Sequence, residues 1–221
     1  IYKDVIDFWK FSGSANTPTL IVNYGSVNGE YYWYQKTDVW KKERLLRFTP
    51  RHIIDSRSRH RTMIPEEEYE NGHILTARSC KALQDNGVNI NLGSHGQIQG
   101  IGAHWELWMF VQGGMTPLQA LKCATINGAK YIGMDAEIGS ISKGKLADLI
   151  VLSEDPLKDI RHSESIQYTM INGRLFNSSD MSQIYPNPSP APQFYWQKPG
   201  AVFPYDINGF SSFSAKRSCQ G

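Results

Sequence analysis

Hydrophobic residues recur at helical spacing in several stretches of the chain. After Thr116 and Pro117, apolar residues repeat every three or four positions as far as Ile132, and Gly133 follows. Thr is a favourable N-cap, Pro suits the first helical position, and Gly commonly ends a helix. The pattern therefore predicts a helix from about Pro117 to Ile132. The same periodicity predicts two more helices, over residues 1–11 and 75–83.

Shorter apolar segments predict strands between these helices. Thr17–Val22 and Val88–Leu92 are each bounded by turn residues and are predicted to be short strands, the first of them buried. A continuous apolar run from Leu146 to Leu152, broken by Asp148, predicts another buried strand. Residues 166–176 read as a hairpin around Asn172-Gly173, a strong two-residue turn signal. Helices and strands that follow one another in this way indicate the α/β class.

Three other segments lack a clear period. Tyr24–Trp40 is rich in Gly, Tyr and Trp, which favours a loop that lays aromatic surface over a pocket or a neighbouring domain. Lys41–Arg61 is strongly basic, and its arginines either pair with acidic residues on a solvated surface or bind a substrate anion. Beyond Asn177 proline alternates with aromatic residues, which predicts an extended tail.

Composition and charge narrow the possible functions. The 221 residues, 40% of them hydrophobic, suffice for one large domain or two small ones. A net charge of +2, from 23 basic and 21 acidic residues, argues against a general role in binding nucleic acid or a membrane surface. The cysteines show neither zinc-ribbon nor CxxC spacing. The sequence has no apolar run of about 18 residues, so no membrane span is predicted.

Candidate chemistry is concentrated in the loop Gly93–Glu106. Its glycines allow tight turns or close approach to a ligand, and His95, His104 and Glu106 add two imidazoles and a carboxylate. The loop lacks the lysine of a phosphate-binding loop and the spacing of a dinucleotide fingerprint. From the residues alone, each histidine has either a chemical or a structural role. Two tryptophans are predicted to lie in the core, Trp105 and Trp108.

Residues from Ile1 to about Glu164 resemble the C-terminal portion of metal-dependent amidohydrolases related to imidazolonepropionase and Xaa-Pro dipeptidases. Thr17–Leu20 and Val88–Leu92 resemble the seventh and eighth barrel strands, and Gly139–Leu152 resembles the returning β-subdomain. Gly102–Glu106 is similar to a subgroup often fused behind a TolB-like β-propeller. The resemblance implies an α/β fold with three parts: the C-terminal part of a (β/α)8 TIM-like barrel over 1–133, β-subdomain strands over 134–177, and an extended tail over 178–221.

The resemblance also implies a divalent metal, with Zn expected before Mn or Fe. The family's HxH pair, its bridging Lys or Glu and its two further histidines are expected before Ile1. At the end of strand eight the family usually has Asp, where this chain has His95. Imidazole, with an unperturbed pKa of about 6.5, can move a proton or bind these metals, so His95 is predicted to be the catalytic residue and a metal contact.

Other side chains are expected around the barrel mouth or in the β-subdomain. Barrel chemistry lies on the loops that follow the strands, so three residues are predicted as substrate contacts: Tyr24, His104 and Glu106. Asp148 is predicted instead to accept from backbone donors of the β-subdomain.

The resemblance implies hydrolysis of C–N bonds in amides, cyclic amides or dipeptides by metal-activated water, and a periplasmic or other extracytoplasmic location. The substrate is then a small molecule or a short peptide. The alternative is a non-catalytic segment that packs on a propeller or partner subunit. Two parallel strands alone leave apolar surface uncovered, so this chain is expected to be inactive by itself and to join the missing N-terminal strands, in cis or from another copy in a homo-oligomer.

Overall fold

A computed structural model describes residues 1–22, 29–58, 66–96 and 98–197. The chain divides into two compact units, Ile1–Ser189 and a second that begins at Pro190. The helices are α1 Lys3–Ser12, α2 Gly29–Lys36, α3 Glu43–Phe48, α4 Arg51–Ser58, α5 Glu66–Tyr69, α6 Leu75–Asp85, α7 Ile101–Gln112, α8 Pro117–Cys123 and α9 Ile126–Tyr131. The strands are β1 Leu149–Leu152, β2 Ile166–Ile171, β3 Arg174–Asn177 and β4 Gln183–Tyr185. A π-helical turn spans Glu70–Ile74, and 3₁₀ turns span Leu20–Val22, Val39–Lys41, Ile160–Glu164 and Tyr195–Gln197.

Helix α7 lies in the centre of the core. Trp105, Met109 and Phe110 are fully buried along it. Helix α2 contributes Trp33, whose ring lies 5.0 Å from Trp108 and stacks at 6.5 Å on Trp105. The prediction that both α7 tryptophans lie in the core is confirmed. Their burial explains why so apolar a segment folds as a helix inside the molecule rather than on its surface.

The aromatic segment Tyr24–Trp40 is not the loop that its composition predicts. Residues 29–36 form α2, and Trp33 and Tyr34 are buried against α7. Gly29 explains the close approach, because a Cβ there would lie 2.6 Å from the Leu20 carbonyl oxygen and 3.0 Å from Met109 Sδ. Tertiary burial overrides the local loop preference of Gly and Tyr. Residues 24–28 of this segment lie outside the described part.

The helix predictions at 1–11 and 75–83 are confirmed by α1 and α6, but the one at 117–132 is only partly correct. Two helices, α8 and α9, replace it, and Thr125 between them has φ −132° and ψ −101°. The Cys123 carbonyl accepts from Leu92 N at 3.0 Å, and Thr125 Oγ1 donates to the Leu121 carbonyl at 2.8 Å. These bonds compete with the helical ladder and break it. The predicted N-cap at Thr116 is confirmed, and the structure adds a capping box with Gln119.

Within the described ranges, one isolated parallel bridge joins the regions that resemble barrel strands, between Asn16, just before Thr17, and Ile90. Asn16 N donates to the Asn89 carbonyl at 2.9 Å, and Asn91 N donates to the Asn16 carbonyl at 2.9 Å. Beyond this bridge the buried residues 20–22 turn into a 3₁₀ helix, so the strand prediction for Thr17–Val22 is wrong there. The predicted strand at 88–92 is likewise reduced to the bridge at Ile90. The α/β class is shown, whereas the portion of a barrel stays a prediction.

The described strands form one antiparallel sheet in the order β1-β2-β3-β4. The hairpin at Asn172-Gly173 is confirmed, with φ of 48° and 74°. Asp148 Oδ1 accepts from Asn172 N at 2.6 Å, which confirms its predicted role in the β-subdomain. The prediction that Leu146–Leu152 is buried is wrong, since Ile150 is 50% and Val151 39% exposed. Part of the apolar surface of β1 is therefore left uncovered by the other described residues.

The tail after Asn177 is only partly as predicted. It contains β4 and a 3₁₀ turn at Tyr195–Gln197, and residues 198–221 lie outside the described part. Within the described ranges, no helix combines the length and hydropathy that crossing a bilayer requires.

The packing of α6 on α7 gives a test of the core. A Cβ on Gly113 would overlap the carbonyl carbon and Cβ of Ala77. We expect Gly113→Ala to lower the free energy of unfolding by about 1–3 kcal/mol, because the helices must move apart. Gly128→Ala is the matched control: its nearest neighbour lies 4.0 Å away, so better helix propensity should stabilise by up to about 1 kcal/mol. Urea unfolding measures both, and equal effects would contradict the close packing.

Candidate functional site

The turn that carries His95 follows the predicted eighth strand. Gly93 allows it to approach the 17–19 segment, since a Cβ there would lie 2.6 Å from Thr17 Cγ2 and 2.8 Å from Thr19 Oγ1. His95 and Gly96 have φ of 55° and 68°, a left-handed pair that reverses the chain. His95 is exposed. The structure therefore presents this imidazole on the surface of a tight turn, where it is accessible to a ligand.

Glu106 lies in the interior, on α7. Its side chain is fully buried, and both carboxylate oxygens accept backbone hydrogen bonds. Leu20 N donates to Oε1 at 2.7 Å, and Ile21 N donates to Oε2 at 3.0 Å. Burial raises the pKa of the Glu106 carboxyl to about 8, while the two N–H donors act in the opposite direction. In the described structure this carboxylate binds the 3₁₀ turn at Leu20–Val22.

His104 faces another side of α7 and contacts the turn that precedes β2. Its Nδ1 lies 3.0 Å from Ser163 Oγ, which also accepts from Trp108 Nε1 at 3.1 Å. Ser163 is buried, so its hydroxyl is enclosed between these two rings. Burial lowers the pKa of His104, with Arg44 and Lys42 adding to the effect and Glu164 opposing it. An unprotonated Nδ1 of the neutral imidazole can accept a hydrogen bond from the Ser163 hydroxyl.

Basic residues of α3 and its flank bind the β-sheet region. Arg44 donates to the carbonyls of Glu164 and Ile166 at 2.8 and 2.5 Å, and Lys42 pairs with Glu164 at 2.6 Å. Arg47 donates to the Ser179 carbonyl at 2.9 Å. These residues of the basic segment therefore bind groups of the protein itself, which favours a structural role for them over binding of a substrate anion. The side chains of its other arginines, at 51, 57, 59 and 61, lie outside the described part.

A cleft of about 810 Å³ lies between α2, α7 and the 160–164 turn. Its rim carries charges of both signs that form ion pairs: Lys36–Glu66 at 2.5 Å, Lys41–Asp38 at 2.7 Å, Lys42–Glu164 at 2.6 Å and Arg161–Asp159 at 3.5 Å. Among the described residues that line it, none is a predicted site residue. These described charges on the rim are therefore engaged in ion pairs with protein groups.

Sequence reasoning missed two buried polar residues. Ser163 gave no signal, because a serine in a polar segment looks like a surface residue. His73 lies in the π-helical turn, fully buried between the rings of Tyr32 and Tyr69, with Nε2 3.0 Å from Gln112 Oε1. Burial is the main cause that lowers its pKa. No periodicity or spacing singled it out, since its partners are distant in sequence.

The predicted site residues therefore have different surroundings. His95 is exposed on its turn, His104 contacts Ser163, and Glu106 binds two backbone amides. Tyr24 lies outside the described residues. Within the described ranges, no group of three or more His, Cys, Asp or Glu side chains could hold a metal ion. His95 offers at most one donor, so the residues present do not by themselves fit a metal centre.

The shared hydroxyl of Ser163 gives a second test. We expect Ser163→Ala to lower the free energy of unfolding by about 1–3 kcal/mol, because it removes the partner of the buried Trp108 Nε1 and of the half-buried His104 Nδ1. Ser142→Ala, at an exposed position, should change it by less than about 0.5 kcal/mol. Thermal and urea unfolding of both variants measure the difference. Similar small effects would show that the Ser163 contacts contribute little.

The raised pKa of Glu106 gives a third test, on pH dependence. Its folded-state value of about 8 lies above the ordinary 4.5, so the folded protein binds the proton more tightly than the unfolded chain. The contribution of Glu106 to stability should be fully present below pH 4.5, fall by up to about 1.4 kcal/mol per pH unit toward pH 8, and then level off. Glu106→Gln should remove this slope, and Glu137→Gln, at an exposed position, should keep it. Parallel stability curves for wild type and Glu106→Gln would contradict the assignment.

Comparison with known proteins gives the family. The amidohydrolase family matches residues 52–176, more than half of the chain. Ochratoxinase from Aspergillus niger is 29% identical over 166 residues, which cover 70% of this chain and 35% of the relative. Imidazolonepropionase from Symbiobacterium thermophilum is 58% identical over 40 residues, 18% of this chain and 9% of that protein.

A solved structure has a similar fold. The crystal structure of a Xaa-Pro dipeptidase with methionine bound in its active site superposes with a TM-score of 0.54 at 22% identity, over 80% of this chain and 38% of that one. The chain thus spans little more than a third of these full-length relatives. The match over residues 52–176, which includes the His95 turn and α7, shows that the chain belongs to the amidohydrolase family.

Proposed function

We propose that this chain is the C-terminal part of a metal-dependent hydrolase that cleaves C–N bonds in small molecules or short peptides. The observation that carries the proposal is the exposed His95, on a left-handed turn directly after the segment that resembles the last barrel strand. In barrel enzymes, chemistry takes place on the loops after the strands. The relatives named for ochratoxin and for Xaa-Pro dipeptides suggest amide and dipeptide substrates.

In this proposal the metal is a divalent ion, with Zn expected before Mn or Fe, and its other ligands lie in the part of the barrel that this chain does not contain. Bound metal would polarise the scissile group and supply an activated water. The role of this chain is to hold a proton acceptor at His95. Imidazole is the side chain that most often carries out such proton transfer in enzymes. The proposed location is extracytoplasmic.

The alternative is a non-catalytic segment that packs on a propeller or another subunit. The observation that favours it is exposed apolar surface on α1, where Phe8 is 73% and Phe11 83% exposed. Such surface also suits the missing strands and helices of a barrel, in cis or from another copy. Metal content separates the two proposals: about one or two equivalents in the complete protein support the enzyme, and a folded metal-free protein supports the scaffold.

Substitution of His95 gives a fourth test. In the complete protein, with Xaa-Pro dipeptides and ochratoxin as substrates, we expect His95→Ala to lower kcat/KM by about 10²–10⁴, because it removes a proton acceptor. His95→Asp, which introduces the acid usual in the family, should keep part of the activity. His52→Ala, at another exposed histidine, is the control and should be unchanged. Unaltered turnover and metal content in His95→Ala would refute the role of this residue.

A further inference from the structure

The carboxylate of Glu106 is an unusual group to bury in an apolar core. Its neighbours on α7 include Trp105, Met109 and Phe110, all fully buried. Removal of a carboxylate from water is costly unless hydrogen bonds replace those to solvent, and an apolar side chain of similar size avoids that cost. What the carboxylate provides and an apolar residue cannot is the pair of bonds to the Leu20 and Ile21 amides.

Those two amides form a small concavity of N–H donors. Thr19 has φ 51°, in the left-handed region, and the 3₁₀ turn begins at the next residue. Successive N–H groups in such a turn point in nearly the same direction and attract an anion. The two oxygens of Glu106 accept at 2.7 and 3.0 Å, one from each amide. A bidentate contact of this kind fixes the orientation of the turn as well as its distance from α7.

The same face of α7 also contacts the His95 turn. Gly102 lies one helical turn before Glu106. A Cβ on Gly102 would lie 3.5 Å from Ile21 Cδ1 and 3.8 Å from Ser94 Cβ, so both side chains pack at this position. Ser94 immediately precedes His95. This face of α7 therefore contacts the ends of both segments that resemble barrel strands.

We propose that Glu106 is a positioning residue, whose carboxyl group holds the Leu20–Val22 turn on α7 and thereby fixes the separation between that turn and the Ser94–His95 turn. The effect of this anchor on catalysis rests on the proposed function, because that effect requires His95 to act in the reaction. The anchoring of the turn does not depend on the proposed function. This role differs from direct contact with substrate, since both carboxylate oxygens already bind the backbone of the protein.

Amide hydrogen exchange in the complete protein tests the anchor without reference to activity. Glu106→Gln places an amide NH₂ opposite one backbone N–H, so at least one of the Leu20 and Ile21 amides should exchange about tenfold faster or more. The imidazole resonances of His95 should shift in the same variant. Glu137→Gln, which removes a charge at an exposed position, should alter neither. Unchanged exchange at both amides, or faster exchange with no shift at His95, would overturn the proposal.

A measurement on the unsubstituted protein decides the question if Glu106→Gln does not fold. The carboxyl carbon of Glu106 and the amide protons of Leu20 and Ile21 should shift with one common midpoint as the pH is varied. Amide protons that do not follow the titration of the carboxyl group would overturn the anchor.

Hydrolysis of Xaa-Pro dipeptides then tests the consequence for the site. Glu106→Gln should lower kcat more than it raises KM and should leave metal content unchanged, because the residue acts through the position of His95. A rise in KM alone would overturn the positioning role in favour of substrate contact. If the unsubstituted complete protein hydrolyses none of the substrates, the proposed function fails, while amide exchange and the His95 resonances still decide the anchor.

Discussion

The burial of helix α7 is the constraint on which the rest of the described fold depends. Trp105, Met109 and Phe110 are removed from water along its length, and full burial of such side chains contributes about 1.5–3 kcal/mol each. The neighbouring elements approach it closely where glycine replaces a side chain, as at Gly113 against Ala77. This one helix contacts segments that are far apart in the sequence, among them 20–22, 29–36, 75–85 and 160–164.

Polar contacts on two faces of α7 give this apolar core a defined arrangement. Hydrophobic burial has no direction, so it does not decide how a neighbouring turn is oriented. Glu106 fixes the Leu20–Val22 turn through two backbone amides, and Ser163 joins the 160–164 turn to His104 and Trp108. Arg44 adds two bonds to backbone carbonyls next to the sheet. The residues near the candidate site are therefore held by directional contacts as well as by packing.

Exposed apolar side chains on α1 and β1 agree with the proposal that the chain is part of a larger barrel. Phe8 and Phe11 lie on the side of α1 opposite to Ile6 and Trp9, which pack on the core. The chain spans 35% of ochratoxinase and 38% of the Xaa-Pro dipeptidase that it resembles.

Local sequence signals determined the helix ends, the hairpin and the family. The N-cap at Thr116, the Asn172-Gly173 turn and the helical periodicity of 75–83 depend on residues close in the chain, so they could be predicted. Tertiary structure alone decided the rest. The break between α8 and α9 involves the bond from Leu92 N to the Cys123 carbonyl, and the helix at 29–36 is stabilised by burial against Trp105. The partners of Glu106 and His104 lie in turns that are 86 and 59 residues away in sequence. A periodic pattern shows which face of an element is apolar, but not which distant group will meet it.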